Sequence, residues 1–345
     1  MSDGISQLVA IGAQDAFLTG NPEISFFRST YKRHTNFSHV TTRQVIQGNP
    51  SNNAMSTVRF ERKGDLLNHV YILCTEDRTA NALANWSNIV SSVDLLIGGQ
   101  VIDTQYPEFS ENLAPELLAQ NLSKSSSGNR SGATSDFFPL RFSFFENCQS
   151  AIPLVSLQYH DVEIRINWGT ITGDKKFEVY TNFIYLDTEE RQILSNSPQN
   201  ILMTQIQKAP FSNVHIMDLS FNHPIKYLAM SNTTPVSGSI FEAGAKIKLQ
   251  INGVDIDDFK LTIPNFTTTA CYYHAPFSVG VDNNLMLMPF CLDTSKIQPS
   301  GSLNFSRLDS ARLMSEEHKF SHVVYGVNYN VLRIQNGMGG LLYAN

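Results

Sequence analysis

A nine-residue pattern that occurs twice constrains the fold of this chain more than any other feature. Leu95-Leu96-Ile97-Gly98-Gly99-Gln100-Val101-Ile102-Asp103 is echoed by Leu249-Gln250-Ile251-Asn252-Gly253-Val254-Asp255-Ile256-Asp257, with Leu, Ile, Gly, Ile and Asp in matching places. Two short apolar runs around a Gly-Gly turn read as a β-hairpin. A weaker echo follows in both halves. Phe142 to Phe145 precedes a loop and Ser156-Leu157-Gln158-Tyr159, as Met286 to Phe290 precedes a loop and Ser302-Leu303-Asn304-Phe305. The shared order and comparable spacing point to one β domain present twice.

The rest of the chain fits that reading. Ser56 to Lys63 alternates with period two, placing Val58 and Phe60 on one face of a half-buried strand, and Val70 to Cys74 is a denser buried strand. Leu83, Trp86 and Val90 predict a short helix within Asn81 to Val93, and Phe109, Leu113 and Leu117 another within Glu108 to Gln120. Ser123 to Ser135 is a Ser/Gly-rich surface loop. Phe137 to Phe145, Leu154 to Trp168 and Val179 to Leu186 read as strands; Asp187 to Gln207 reads as a helix, a break and a linker strand. A second strand series starts at Val214.

With 345 residues and little helix, the prediction is all-β: two tandem eight-stranded antiparallel jelly-roll sandwiches with short helices in loops. The expected division is an N-terminal arm at 1–23, a first jelly roll at 24–199, a linker at 200–208 and a second jelly roll at 209–345.

Composition narrows the function. Apolar residues make up 42% and charged residues 16%, which suits a chain that buries much of itself against partners. Twenty-five basic against 31 acidic residues argue against direct nucleic-acid binding. Cys74, Cys148, Cys271 and Cys291 are widely spaced and read as buried reduced thiols, not a disulfide framework or zinc site. The nine histidines show no His-x-His pair, so no metal is expected. Gly128-Asn-Arg-Ser-Gly132 lacks the Lys-Ser/Thr of a phosphate loop, and neither a GxSxG elbow nor an HExxH helix occurs. No enzyme chemistry and no cofactor are expected. No basic region precedes the short apolar run at Leu8 to Gly12, which argues against a secretory signal; of the glycosylation sequons, only Asn129, in the Ser/Gly loop, stands as a possible glycan site.

Gly12 to Ser38 changes character three times, from a small and polar start through the breaker Thr19-Gly20-Asn21-Pro22 to Phe26, Phe27, Tyr31-Lys32-Arg33-His34 and an extended Thr35 to Ser38. Together with Pro153 to His160, Tyr185 to Arg191, Phe221 to Pro224, Gln298 to Gly301, Asn304 to Arg307, Asn328 to Ile334 and Gly337 to Gly340, it resembles the double jelly-roll major capsid proteins of large nucleocytoplasmic DNA viruses. The resemblance implies a homotrimeric, pseudo-hexameric capsomer that tiles an icosahedral virion shell, touching neighbouring capsomers, with minor capsid proteins and an internal membrane on its inner face, assembled in the host cytoplasm. It also implies structural or assembly roles for Asn21, Pro22, Phe26, Phe27, Tyr31, Arg33, Asn36, Asp187, Arg191, Asn304, Arg307, Asn328, Arg333, Gly337 and Gly339. Phe26, Phe27, Tyr31 and Phe37 are expected to seat the base of the first roll. A minor capsid or vertex protein of the same fold, or a glycan-binding sandwich, are the alternatives.

Overall fold

The computed structural model describes residues 3–74, 86–125, 137–172, 175–210, 213–232, 236–276 and 284–344, and divides into two compact units, Met1–Asn36 and Phe37–Asn345. Asn129 and Gly128 to Gly132 lie outside the described residues, as does most of the Ser/Gly loop.

The larger unit is built from two sandwiches of the same topology. In the first half, β1 (Phe37–Gln44), β2 (Met55–Arg59), β3 (Leu66–Cys74), β4 (Val90–Ile97), β5 (Gln100–Gln105), β6 (Phe137–Pro139), β7 (Ile152–Pro153), β8 (Val162–Trp168) and β9 (Phe177–Leu186) form two antiparallel sheets. One has the order β1-β9-β3-β6 with β7 also on β3; the other is β2-β8-β4-β5. The second half follows with β10 (Gln199–Ala209), β11 (Ile216–Asp218), β12 (Pro224–Ser231), β13 (Lys246–Ile251), β14 (Val254–Asp255), β15 (Lys260–Leu261), β16 (Leu285–Pro289), β17 (Leu303–Asn304), β18 (Ala311–Ser315), β19 (Val324–Gln335) and β20 (Met338–Leu341). Its sheets are β10-β19-β12-β16, with β17 on β12 and β20 on β19, and β11-β18-β13-β14, with β15 on β13. Strand for strand, the order repeats. This is a double jelly roll.

The nine-residue repeat marks the same hairpin in each half. Gly98 and Gly99 turn β4 into β5 at φ +58° and +81°, and Asn252 and Gly253 turn β13 into β14 at φ +51° and +78°. Both central residues of each turn are left-handed, the geometry that matches strand twist and favours Gly and Asn. The weaker echo is out of register. Met286 to Pro289 lies in β16, whose counterpart is β6, whereas Ser143–Glu146 is a helical turn packed under β3. Phe142, Phe144 and Phe145 are buried, so a run that reads as a strand from its aromatics forms a corner of the core.

Other boundaries also shift. Of the Leu154–Trp168 run only Val162–Trp168 is a strand, alternating Val162, Ile164, Ile166 and Trp168 into the core. Trp86–Ile89 is a helical turn that runs directly into β4, and Glu108 to Gln120 holds a π-turn at Phe109–Leu113 followed by a helical turn at Ala114–Leu117, with Pro115 in its first positions. The stretch at 200–208 is not a linker. It lies within β10, whose eleven residues pair with β19 from Gln199↔Ile334 to Ala209↔Val324. The connection between the halves is the helix Thr188–Asn196 and Ser197-Pro198.

The N-terminal unit differs from the expected arm in its bounds. It extends to Asn36, not 23, and contains the helices Asp3–Val9 and Asp15–Thr19. Phe26, Phe27 and Tyr31 are 87%, 100% and 86% exposed; Phe37, which opens β1 at the sheet edge, is 54% exposed.

Candidate assembly surfaces and the seam between the halves

The two rolls are joined by side chains that cross in both directions. The turn pair Phe109 to Leu117 leaves the first roll and lies on the outer face of the second roll's β10-containing sheet. Alternation, reset by a register shift between Ile225 and Tyr227, makes this possible: along β12, Ile225, Leu228 and Met230 face the second core, while Tyr227 and Ala229 face outward. Phe109, Leu113, Ala114 and Leu117 cover Tyr227, Ala229, Leu287, Tyr325 and Val327 in one buried cluster. Each large apolar side chain so covered is worth about 1.5–3 kcal/mol. The Tyr325 hydroxyl donates to Glu108 Oε2 at 2.8 Å, tying the rim.

Beside this cluster, Asp103 ends the first repeat. It is 5% exposed, and its Oδ1 accepts from the backbone N–H of Thr104 and of Ile206 on β10, each at 3.0 Å. Burial raises its pKa to about 8, against the lowering effect of those two hydrogen bonds. The carboxyl is therefore protonated at neutral pH, with Oδ2 available to carry the proton. Gln205 adds a second link, Nε2 donating to Ile102 O at 2.5 Å.

The return connection comes from the β19–β20 hairpin. Tyr159 N donates to Gly337 O at 2.9 Å, and His160 Nδ1 lies 2.9 Å from Gly339 O and 3.2 Å from Gly339 N. Both glycines permit the approach. A Cβ on Gly337, at φ +78°, would stand 2.6 Å from the Tyr159 ring, and one on Gly339 would stand 2.7 Å from Leu157. Met203, Leu332 and Ile334 from the second half complete the first half's core.

At the connection, Asp187 caps the Thr188–Asn196 helix by accepting from Thr188 N at 2.7 Å. Arg191, one turn on, pairs with Asp65 of the first roll, Nε to Oδ1 and Nη2 to Oδ2 at 2.9 Å each. Asn328 is fully buried in the β10–β19 pairing, donating to Gln205 Oε1 at 3.2 Å and accepting from Gln207 Nε2 at 2.8 Å.

Asn304 accepts from Ser306 N at 3.1 Å to cap the turn holding Arg307, while Arg333 donates to Gln335 on its own strand. Asn21, at φ +50°, Pro22, Phe26, Phe27, Tyr31, Arg33 and Asn36 all lie in the exposed N-terminal unit. The structure thus brings Gly337 and Gly339 together with the first roll and Arg191 together with Asp65, while the side chains of Asn304 and Arg333 bond locally. Sequence reading missed Asp65, Asp103 as a buried acid, His160 and the covering role of Phe109 to Leu117. Only the Asp at the end of each repeat carried a signal, and it is ambiguous: Asp257, the second-half counterpart, is exposed and pairs with Lys260.

Among the described residues no group of three or more His, Cys, Asp or Glu could hold a metal ion. The four cysteines are reduced thiols; Cys74 and Cys291 are buried, Cys271 is partly buried, and Cys148 is exposed, correcting the expectation that all are buried.

Comparison with known proteins accords with this architecture. Residues 25–187 match the major capsid protein N-terminus family and residues 190–340 the large eukaryotic DNA virus major capsid protein family. The major capsid protein of Pyramimonas orientalis virus is 32% identical, with 100% of both chains covered. The chain belongs to the major capsid protein family of large eukaryotic DNA viruses.

The major capsid protein of Paramecium bursaria Chlorella virus 1 is 29% identical, again with 100% of each chain covered. In fold, this major capsid protein is similar to the PBCV-1 VP54 crystal structure, with a TM-score of 0.77 at 24% identity, covering 93% of this chain and 100% of that one. The Faustovirus major capsid protein follows at a TM-score of 0.62 and 11% identity, with 94% of each chain covered. The family is structural, not enzymatic, and places the protein in the virion capsid, where subunits assemble with their neighbours.

Proposed function

We propose that the major capsid protein works as a homotrimer of pseudo-hexagonal outline, tiling an icosahedral shell above an internal membrane. The observation that carries this reading is the strand-for-strand repetition of the two rolls. Three chains of two similar rolls present six similar wedges, which pack hexagonally while keeping threefold symmetry. Assembly would take place in the host cytoplasm, with no direct contact to nucleic acid.

The N-terminal unit supplies contacts beyond the trimer in this reading. Phe17, Leu18, Phe26, Phe27 and Tyr31 are all at least 86% exposed, an apolar surface that suits neighbouring capsomers or minor capsid proteins on the inner face. Asn21, Pro22, Arg33 and Asn36 are assigned to that segment's conformation. Size-exclusion chromatography with light scattering tests the proposal. A stable three-chain mass supports it; a pentamer, or a monomer that binds other capsid proteins, favours a minor or vertex role instead.

A further inference from the structure

The seam inside the chain uses one insert and one sheet face, and the repeat supplies a second of each. Tyr227 on β12 pairs with Pro289 on one side and Val327 on the other. Tyr71 on β3 pairs with Pro139 and Tyr180 in the same way, so the two tyrosines occupy equivalent outward positions in the two rolls. Tyr227 is fully buried beneath Phe109 to Leu117. Tyr71 is only half-buried; it stacks on Tyr180 at 5.6 Å and meets the edge of Phe137 at 6.0 Å. Next to it opens a cleft of about 360 Å³ lined by His69, Tyr71, Lys124, Phe137, Arg141 and Glu146.

The second insert has the same build as the first. In the connection preceding β16, a π-turn at Asn265–Thr269 runs directly into a helical turn at Ala270–His274, as Phe109–Leu113 runs into Ala114–Leu117 in the connection preceding β6. Counted from that junction, Tyr273 stands where Leu117 stands. Leu117 is fully buried in the seam, whereas Tyr272 and Tyr273 are 70% and 71% exposed, edge to face at 5.0 Å. Ala270 and Cys271 hold the turn against the second roll, leaving the tyrosine pair outward.

We propose that Tyr272 and Tyr273 dock on the Tyr71 face of the first roll in a neighbouring copy, repeating between chains the seam that joins the halves of one chain. The substitution of tyrosine for leucine fits the receiving surface. Rings pack on Tyr71, Phe137 and Tyr180, and a phenol hydroxyl finds partners among the polar groups lining the cleft. The contact is heterologous, insert to face, so it propagates head to tail and closes into a ring in which every insert and every face is used. This inference rests on the homotrimer reading and specifies its interface.

The test places the photo-cross-linking residue p-benzoylphenylalanine at Tyr273 in full-length protein co-assembled from isotopically labelled and unlabelled chains, with peptide mapping by mass spectrometry. Mixed-isotope cross-links to Leu66–Cys74 or Phe137–Glu146 are expected. In parallel, Tyr272→Asp with Tyr273→Asp should leave the melting temperature and circular dichroism of the chain intact and raise the dissociation constant of the oligomer at least tenfold by light scattering. Cross-links to other surfaces, or a doubly substituted oligomer as tight as wild type, overturn the interface while leaving the trimer reading standing. A wild-type chain that is monomeric throughout the concentration range overturns both.

Discussion

Arg191 grips Asp65 with two parallel bonds, Nε to Oδ1 and Nη2 to Oδ2, both at 2.9 Å, linking the connecting helix to the first roll. Asp65 Oδ2 also accepts from Leu186 N at 2.8 Å, so the carboxylate holds the end of β9 and the start of the helix at once. Lysine cannot reproduce a planar fork. Arg191→Lys is therefore expected to lower stability by about 1 kcal/mol, and Asp65→Ala by about 2–3 kcal/mol because it also orphans the Leu186 N–H. Urea denaturation measures both; equal losses from the two changes would show that the backbone bond contributes nothing.

Asp103 sets a pH dependence. Its folded pKa of about 8 lies above the unfolded value near 3.9. Between those limits the unfolded chain releases a proton that the folded chain keeps. The stability linked to this carboxyl is thus fully present below about pH 4 and is lost as pH rises to about 8, at about 1.4 kcal/mol per pH unit. Asp103→Asn keeps an acceptor for Thr104 N and Ile206 N and has no proton to lose. Its stability curve, from denaturant titrations at pH 5 to 8, should be flatter than wild type; a parallel curve would place the ionisation elsewhere.

Gly337 and Gly99 separate two costs of the same substitution. Both have positive φ, +78° and +81°, but a Cβ on Gly99 meets open space while one on Gly337 meets the Tyr159 ring. Gly99→Ala should cost about 1 kcal/mol from backbone strain alone. Gly337→Ala should cost at least about 1 kcal/mol more, since the hairpin must lift from the first roll. Thermal melts of the pair decide it, and matched melting temperatures would mean that the hairpin contact is soft.

Phe26→Ala with Phe27→Ala removes side chains that are 87% and 100% exposed. The melting temperature of the isolated chain should stay within about 1 °C of wild type, because nothing buried is lost. Shell formation in an assembly assay should be impaired. A clear fall in melting temperature would instead show that these rings are buried in the free chain.

Much of the architecture was legible because hairpin turns have strict chemistry. Gly98-Gly99 and Asn252-Gly253 announce themselves, and the repeat around them carries the two-fold duplication. The period-two pattern of Val162 to Trp168 is equally plain. What escaped was whatever depends on a distant partner. The aromatics of Phe142 to Phe145 have strand propensity but lie in a helical corner beneath β3, and β10 reads as a linker until β19, more than a hundred residues later, supplies its pairing. Phe26 and Phe27 look like core material because hydrophobicity alone does not say whether a ring is buried. The seam was invisible for the same reason: Leu117 and Tyr273 hold the same position after a π-turn and have opposite fates.

The covering of Tyr227 by Phe109, Leu113 and Leu117 has a consequence for how the chain is made. Synthesis delivers the first roll, insert included, more than a hundred residues before Tyr325 and Val327 emerge to complete the surface on which that insert rests. During that interval on the ribosome the first roll carries three bare apolar side chains and still lacks Leu332 and Ile334 from its core. The nascent half exposes that apolar surface to association with other chains, and loses it only when its own second half arrives to cover those side chains.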